Sequence, residues 1–150
     1  MAADDISNFR QIVTSNGYRL TDAREATFRL LISSEPQSIR EILVKAKRNN
    51  VDRVSVYRNI ELFEKIGIVH RIYIGWKYKL ELSDEFVAHH HHLSCLDCGK
   101  IIDIEDEKHL NEFIDGIAAN VGFMPRRHIF EIDGYCKSCQ KNRAKTGSNI

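Results

Sequence analysis

Two Cys-x-x-Cys pairs, Cys95 with Cys98 and Cys136 with Cys139, divide this chain around a long insert. Two thiolates on one tight knuckle make half a tetrahedron, and a second knuckle completes it with Zn–S arms of ~2.3 Å. A site closed by four sulfurs leaves no position for water, so its role is structural. It would staple the end of the last strand to the start of its own domain, which suits a small module with a thin core. This assignment presumes a reducing compartment. The opening "MAADDISNFRQ" lacks the basic-then-apolar layout of a secretory signal. No stretch approaches the ~18–20 apolar residues of a membrane span. A cytoplasmic protein without a membrane partner is expected, and there paired Cys-x-x-Cys units bind metal rather than forming disulfides.

Immediately before the first knuckle run four histidines, "HHHHLSCLDCGK". A solvated tract that binds metal adventitiously is one reading. Its internal position, between an alternating hairpin pattern and a zinc knuckle, favours a strand. On a strand, successive side chains point to opposite faces. His89 and His91 would share one face, His90 and His92 the other, and one strand would feed two separate sites. Other segments must complete them, the candidates being Glu81, Asp103, Glu112 or Asn111, and His128. His70 fits neither site and is read as a surface or DNA-facing residue. His109 is read as an ordinary helix-surface histidine.

The first half is helical in pattern. "DDISNFRQIVTSNG" carries Ile6, Phe9, Ile12 and Val13 at helical spacing and stops at Gly17. Thr21 can cap "DAREATFRLLISS", whose Phe28, Leu30 and Leu31 point to a core. Ser38 and Glu41 form a capping box ahead of "IREILVKAKRNN". Asp52 precedes "RVSVYRNIELFEKIG", with Val56, Ile60, Phe63 and Ile66 on one stripe and Gly67 as the stop. "IVHRIYIGWKYKLEL" then alternates about a Gly75-Trp76 turn, a β-hairpin. Helices closed by such a hairpin form a winged helix-turn-helix, whose last helix enters the DNA major groove.

The fold class expected is α+β: a winged-helix domain over 1–82, a hinge at 83–88, a small α/β metal-binding domain over 89–139, which the family resemblance given below makes the dimerisation domain, and a disordered tail over 140–150. Charge follows the division. Residues 1–80 carry 14 Lys/Arg against 9 Asp/Glu, and residues 81–150 carry 8 against 12. A basic half suits a polyanion and an acidic half suits cations. No H-E-x-x-H, phosphate loop or nucleophile elbow is present, which argues against a metallohydrolase and against a small-molecule substrate.

"GYRLTDAR", "VSVYRNIELFEKIGIV", "HHHHLSCLDCGKIIDI" and "RHIFEIDGYCKSC" together resemble the ferric uptake regulator family of metal-responsive transcription factors. The resemblance covers roughly residues 10–139. It implies a homodimer binding pseudo-palindromic operator DNA, most simply as a repressor, when Fe(II) or another divalent metal (Mn, Zn or Ni) is bound. Peroxide sensing is the alternative within the family. The resemblance implies structural zinc at Cys95, Cys98, Cys136 and Cys139, and a hinge-side regulatory site of Glu81, His90, His92 and Asp103. It places a second site at His89, His91, Glu112 (or Asn111) and His128. The loop before the third helix, "SEPQS", lacks the histidine many members carry there, leaving Glu35 or nothing in its place. For DNA, Tyr57 and Arg58 are expected at base edges. Ser55, Asn59, Arg19 and Arg24 are expected on the backbone.

Overall fold

The computed structural model describes residues 2–33, 35–105, 108–126 and 128–146. The chain divides into two compact units, Met1–Ala88 and His89–Ile150.

The first unit holds four helices, α1 (Ala2–Ser15), α2 (Asp22–Leu31), α3 (Ile39–Arg48) and α4 (Arg53–Lys65), then a hairpin of β1 (Val69–Ile74) and β2 (Lys77–Leu82). Local chemistry sets the helix starts. The Thr21 side chain accepts from the Arg24 N–H, Asp52 accepts from the Ser55 N–H, and Ser38 with Glu41 closes a full capping box. The apolar stripes of the helices meet in one core. Phe9 stacks on Phe28 at 4.3 Å and meets Phe63 edge-on at 5.4 Å between ring centroids. Val13, Ile42, Val56, Ile60, Ile68 and Leu80 pack in the same cluster.

The hairpin is in register from Val69↔Leu82 to Ile74↔Lys77, so the turn is the two residues Gly75-Trp76. Gly75 has φ 58°, the left-handed value that a glycine supplies at the first central position of such a turn. Gln37 adds a one-residue bridge to this wing: its N–H donates to the Leu80 carbonyl and its own carbonyl accepts from the Leu80 N–H. The buried Gln37 side chain donates to the Leu30 and Leu31 carbonyls, closing the end of α2. The "SEPQS" loop is thus anchored by Gln37, while Glu35 is exposed.

The second unit holds β3 (His90–Cys95), β4 (Ile101–Glu105), α5 (Lys108–Asn120), β5 (Glu131–Gly134) and α6 (Lys137–Thr146). The strand order is β4-β3-β5, with β3 antiparallel to β4 and parallel to β5. Expectation and structure differ at the tail. Residues 140–146 are helical, because the second knuckle opens α6 and the Gln140 N–H bonds the Cys136 carbonyl. Residues 147–150 lie outside the described residues. Among the described residues of this unit, Cys95, Ala118 and Cys139 are the only buried apolar side chains. Hydrophobic collapse within it is slight, which leaves much of its order to the sheet and the cysteines.

Candidate metal centres

The four sulfurs converge. Cys95 ends β3, Cys98 follows in the knuckle, Cys136 precedes α6 and Cys139 sits in its first turn, with all four Sγ atoms within 4.8 Å of one another. Gly99 (φ 70°) turns the first knuckle so that its N–H reaches the Cys95 carbonyl at 2.8 Å. The parallel pairing of β3 with β5 carries the second knuckle to the first, and the Cys136 N–H donates to Cys95 Sγ at 3.3 Å. Cys98 Sγ and Cys136 Sγ are 3.8 Å apart. That matches the edge of a tetrahedron with ~2.3 Å Zn–S arms, about 3.8 Å.

The acidities fit a cation as well. The Cys136 thiol is drawn down to about 6, first by the Ser138 hydroxyl and then by the Cys139 N–H. Cys139 is pushed up to about 12, chiefly by its hydrogen bond with Cys136. Burial opposes ionisation of Cys95, yet N–H donors from Cys136, Cys98 and Asp97 bring it below the ordinary thiol value. Four crowded sulfurs can all become thiolates only around a positive ion. All four are free thiols, and a zinc ion suits them.

The histidine run divides by parity. His89, His91 and His128 form one cluster with donor atoms within 4.8 Å, and His90, His92 and Asp103 form another. In the first, His89 Nε2 lies 3.2 Å from His128 Nε2, and the His91 ring packs 5.2 Å from that of His128. In the second, His92 pairs across the ladder with Asp103, Nδ1 to Oδ1 at 3.2 Å, and the His90 ring is 4.6 Å from His92. Both inner histidines are buried, His91 at 3% and His92 at 5% exposure. Nitrogen and oxygen donors suit a borderline divalent metal such as Fe(II), Mn(II) or Zn(II).

One expected ligand of the second unit stands apart from these clusters. Glu112 is exposed and faces Lys108 at 3.6 Å and His109 at 4.0 Å. It is absent from the trio of histidines. Asn111, the alternative on α5, is half-buried. Glu81 belongs to the first unit, where it is the register partner of His70 on β1 and lies 3.2 Å from its Nε2. The sequence reading leaves His70 out of any site. The antiparallel register, fixed by the two-residue turn, is the signal that joins it to Glu81.

The expected DNA-contacting residues separate into exposed and internal ones. Tyr57 (37% exposed) and Arg58 present themselves on α4, joined by Val54 and Arg53, which the sequence reading does not include. Arg53 stacks its guanidinium 5.6 Å from the Tyr57 ring. Asn59 does not face solvent. It is 7% exposed, and its amide donates to the Ala23 carbonyl at 3.1 Å and to Thr27 Oγ1 at 2.9 Å. Its work is to clamp α4 to α2, which corrects the expectation of a DNA contact. Ser55 is half-buried, its N–H bound to the Asp52 cap at 2.8 Å. That bond holds the Asp52 carboxyl below its usual range. Arg24 is half-buried and turned onto the Arg19 carbonyl and the Tyr18 ring, while Arg19 is exposed.

The model of the ferric uptake regulator family matches residues 15–133. The chain belongs to the ferric uptake regulator family. It is 31% identical to the ferric uptake regulation protein of Bacillus subtilis (strain 168), over 89% of this chain and 93% of that protein. It is 33% identical to the peroxide-responsive repressor PerR of Staphylococcus aureus, over 91% of this chain and 90% of that one. Among solved structures it resembles the Helicobacter pylori ferric uptake regulator, reported with three functional metal-binding sites. The TM-score is 0.74 at 24% identity, covering 93% of this chain and 94% of that one. The winged-helix and small α/β architecture is therefore that of the family, and in this chain it carries a four-cysteine cluster. Ferric uptake regulators are metal-responsive, DNA-binding transcription regulators that work as dimers, and not enzymes. Among the described residues, no helix is long and apolar enough to cross a membrane.

Proposed function

We propose that this chain is a metal-dependent repressor, binding a pseudo-palindromic operator as a homodimer when a divalent ion, Fe(II) in the first instance, fills a regulatory site drawn from His90, His92, Asp103 and Glu81. The observation that carries the reading is the parity of β3. His90 to His92 on β3, with His89 directly before it, present two imidazole pairs to two separate clusters, each joined by a donor from another segment. A solvated tract would not order its rings against His128 and Asp103. Glu81 enters from the sequence, placed just before the 83–88 hinge, with its carboxylate already oriented by His70.

A bound divalent ion would supply charge and a fixed set of bond directions. This chain's residues do the rest. His92 is preset by Asp103, the imidazoles are held by strand geometry, and α4 offers Tyr57 and Arg58 at its exposed N-terminal half. Metal acts as co-repressor only to the extent that the DNA-competent form binds it more tightly. Cys95, Cys98, Cys136 and Cys139 are assigned to structural zinc. His89, His91 and His128 are assigned to a second ion, with the α5 contribution left to Glu112 or Asn111. The cytoplasm is the compartment in which such a regulator meets both its ion and its operator.

Electrophoretic retardation of operator fragments, run anaerobically with each divalent metal in turn, tests the proposal. Sequence-specific, metal-dependent retardation is expected; equal binding with and without metal overturns it. A second reading, peroxide sensing, draws on the 33% identity to the Staphylococcus aureus PerR. It predicts that peroxide releases the Fe(II)-loaded protein from DNA while the Mn(II)-loaded protein stays bound.

A further inference from the structure

Trp76 is the chain's single tryptophan, and it stands 88% exposed at the tip of the β1–β2 hairpin. The turn does not require it, since Gly75 supplies the left-handed residue. Nor does the core, which closes beneath Ile72, Ile74 and Leu80. An indole is among the costliest side chains to leave in water, and there its one N–H donor has water as its acceptor.

Its surroundings are basic and aromatic. Lys77 Nζ lies 4.8 Å from the indole centroid, and among the described residues it has no carboxylate partner. Tyr73, 52% exposed, pairs in register with Tyr78, and the Arg71 guanidinium rests 4.4 Å over the Tyr78 ring. The acidic groups nearby are engaged: Glu64 holds Arg71 at 2.8 Å, Glu81 faces His70, and Glu41 closes the cap of α3 beside Lys79. The free end of the hairpin therefore offers an indole edge flanked by an ammonium, on the unit that carries α4.

We infer that Trp76 enters the minor groove of duplex DNA beside the half-site read by α4, with Lys77 on an adjoining phosphate. The inference rests on the DNA-binding reading above. The chemistry fits that groove. Deoxyribose walls take an apolar ring, the acceptors on its floor take the indole N–H, and phosphates line the rim for the ammonium. A narrow groove admits a single flat side chain where it would not admit a helix. Lys77 is the charge complement that commits the tip to a polyanion rather than to an apolar protein surface.

Having one tryptophan makes the test direct. The metal-loaded full chain is titrated with poly(dA-dT) duplex and with a duplex selected by the protein from a random pool, following intrinsic indole fluorescence and gel retardation together. Quenching that saturates with retardation is expected. Trp76→Ala should bind about tenfold more weakly, as expected for losing a buried apolar ring, with unchanged thermal unfolding and zinc content, and Trp76→Phe should recover part of the loss, the part owed to the ring rather than to the N–H. Normal retardation with unchanged fluorescence and full affinity of Trp76→Ala overturns the inference while sparing the DNA-binding reading. No retardation of the wild type by either duplex overturns both. A fluorescence change that follows protein concentration without DNA marks the tip as a contact between copies and overturns the inference.

Discussion

Two neighbouring side chains on one strand, His91 and His92, are both buried yet belong to different clusters. That division was legible in the sequence, because strand alternation depends only on the backbone. A single substitution can therefore address one ion at a time. His92→Ala should lower affinity for the regulatory metal by at least about a hundredfold, since losing a partner of a ligand alone costs ~10–100-fold. Competition titration with a metal chelator measures this, and zinc content at the cysteines should not change. Asn59 was not legible. The same "SVYRN" segment that exposes Tyr57 and Arg58 turns Asn59 inward, and the helix phase that decides it depends on where α2 lies. Asn59→Ala removes one buried and one part-buried hydrogen bond and leaves the Ala23 carbonyl and Thr27 with altered partners. It should cost about 1–3 kcal/mol, seen as a lower denaturant midpoint. Arg58→Ala should instead leave stability alone, cost about 1–3 kcal/mol of specific binding and relax the base preference at one position.

At the scale of elements, helices with chemical punctuation were legible: Thr21, Ser38 and Asp52 cap α2, α3 and α4 as their sequences announce. Helix α6 was not. "KSCQKNRAKT" has no apolar stripe, and a ten-residue helix of this kind is marginal in water on its own. The fold holds it from outside. Cys136 and Cys139 bring its start to the first knuckle, Arg143 donates to Asp97 at 3.0 Å, and the same guanidinium covers the Tyr135 ring at 4.1 Å. The helix is a consequence of the cysteine cluster, and periodicity could not report it. Stripping metal with a strong chelator under reducing conditions should then unwind α6 before the first unit is affected. Hydrogen exchange would show amides of 137–146 losing protection while those of α2 and α4 keep theirs; equal loss in both would refute the dependence.

For the whole molecule, the apolar residues that the second unit leaves exposed are what matter. Leu93 is the register partner of Ile102 on β4 and of Ile132 on β5, so one stripe crosses all three strands. Ile102 and Ile132 remain exposed, as do Phe113 (65%) and Ile117 four residues apart on α5. Patches of this kind mark association surfaces, and dimers are the working form of this family. Which apolar residues would stay outside was not legible, since α5 has the periodicity of any amphipathic helix and only the shortage of core beneath it reveals the difference. If these residues meet a second copy, a charge among them should be far more damaging to assembly than to folding. Ile117→Glu is expected to shift sedimentation from dimer to monomer while both units keep their secondary structure and the cysteines keep zinc. Operator binding should fall steeply, because each half-site would then bind a separate molecule and the gain from linked binding is lost, commonly ~10²–10⁴-fold. A dimeric Ile117→Glu protein would move the interface elsewhere on the unit, and a monomer with undiminished operator affinity would show that the two half-sites are not read by one assembly.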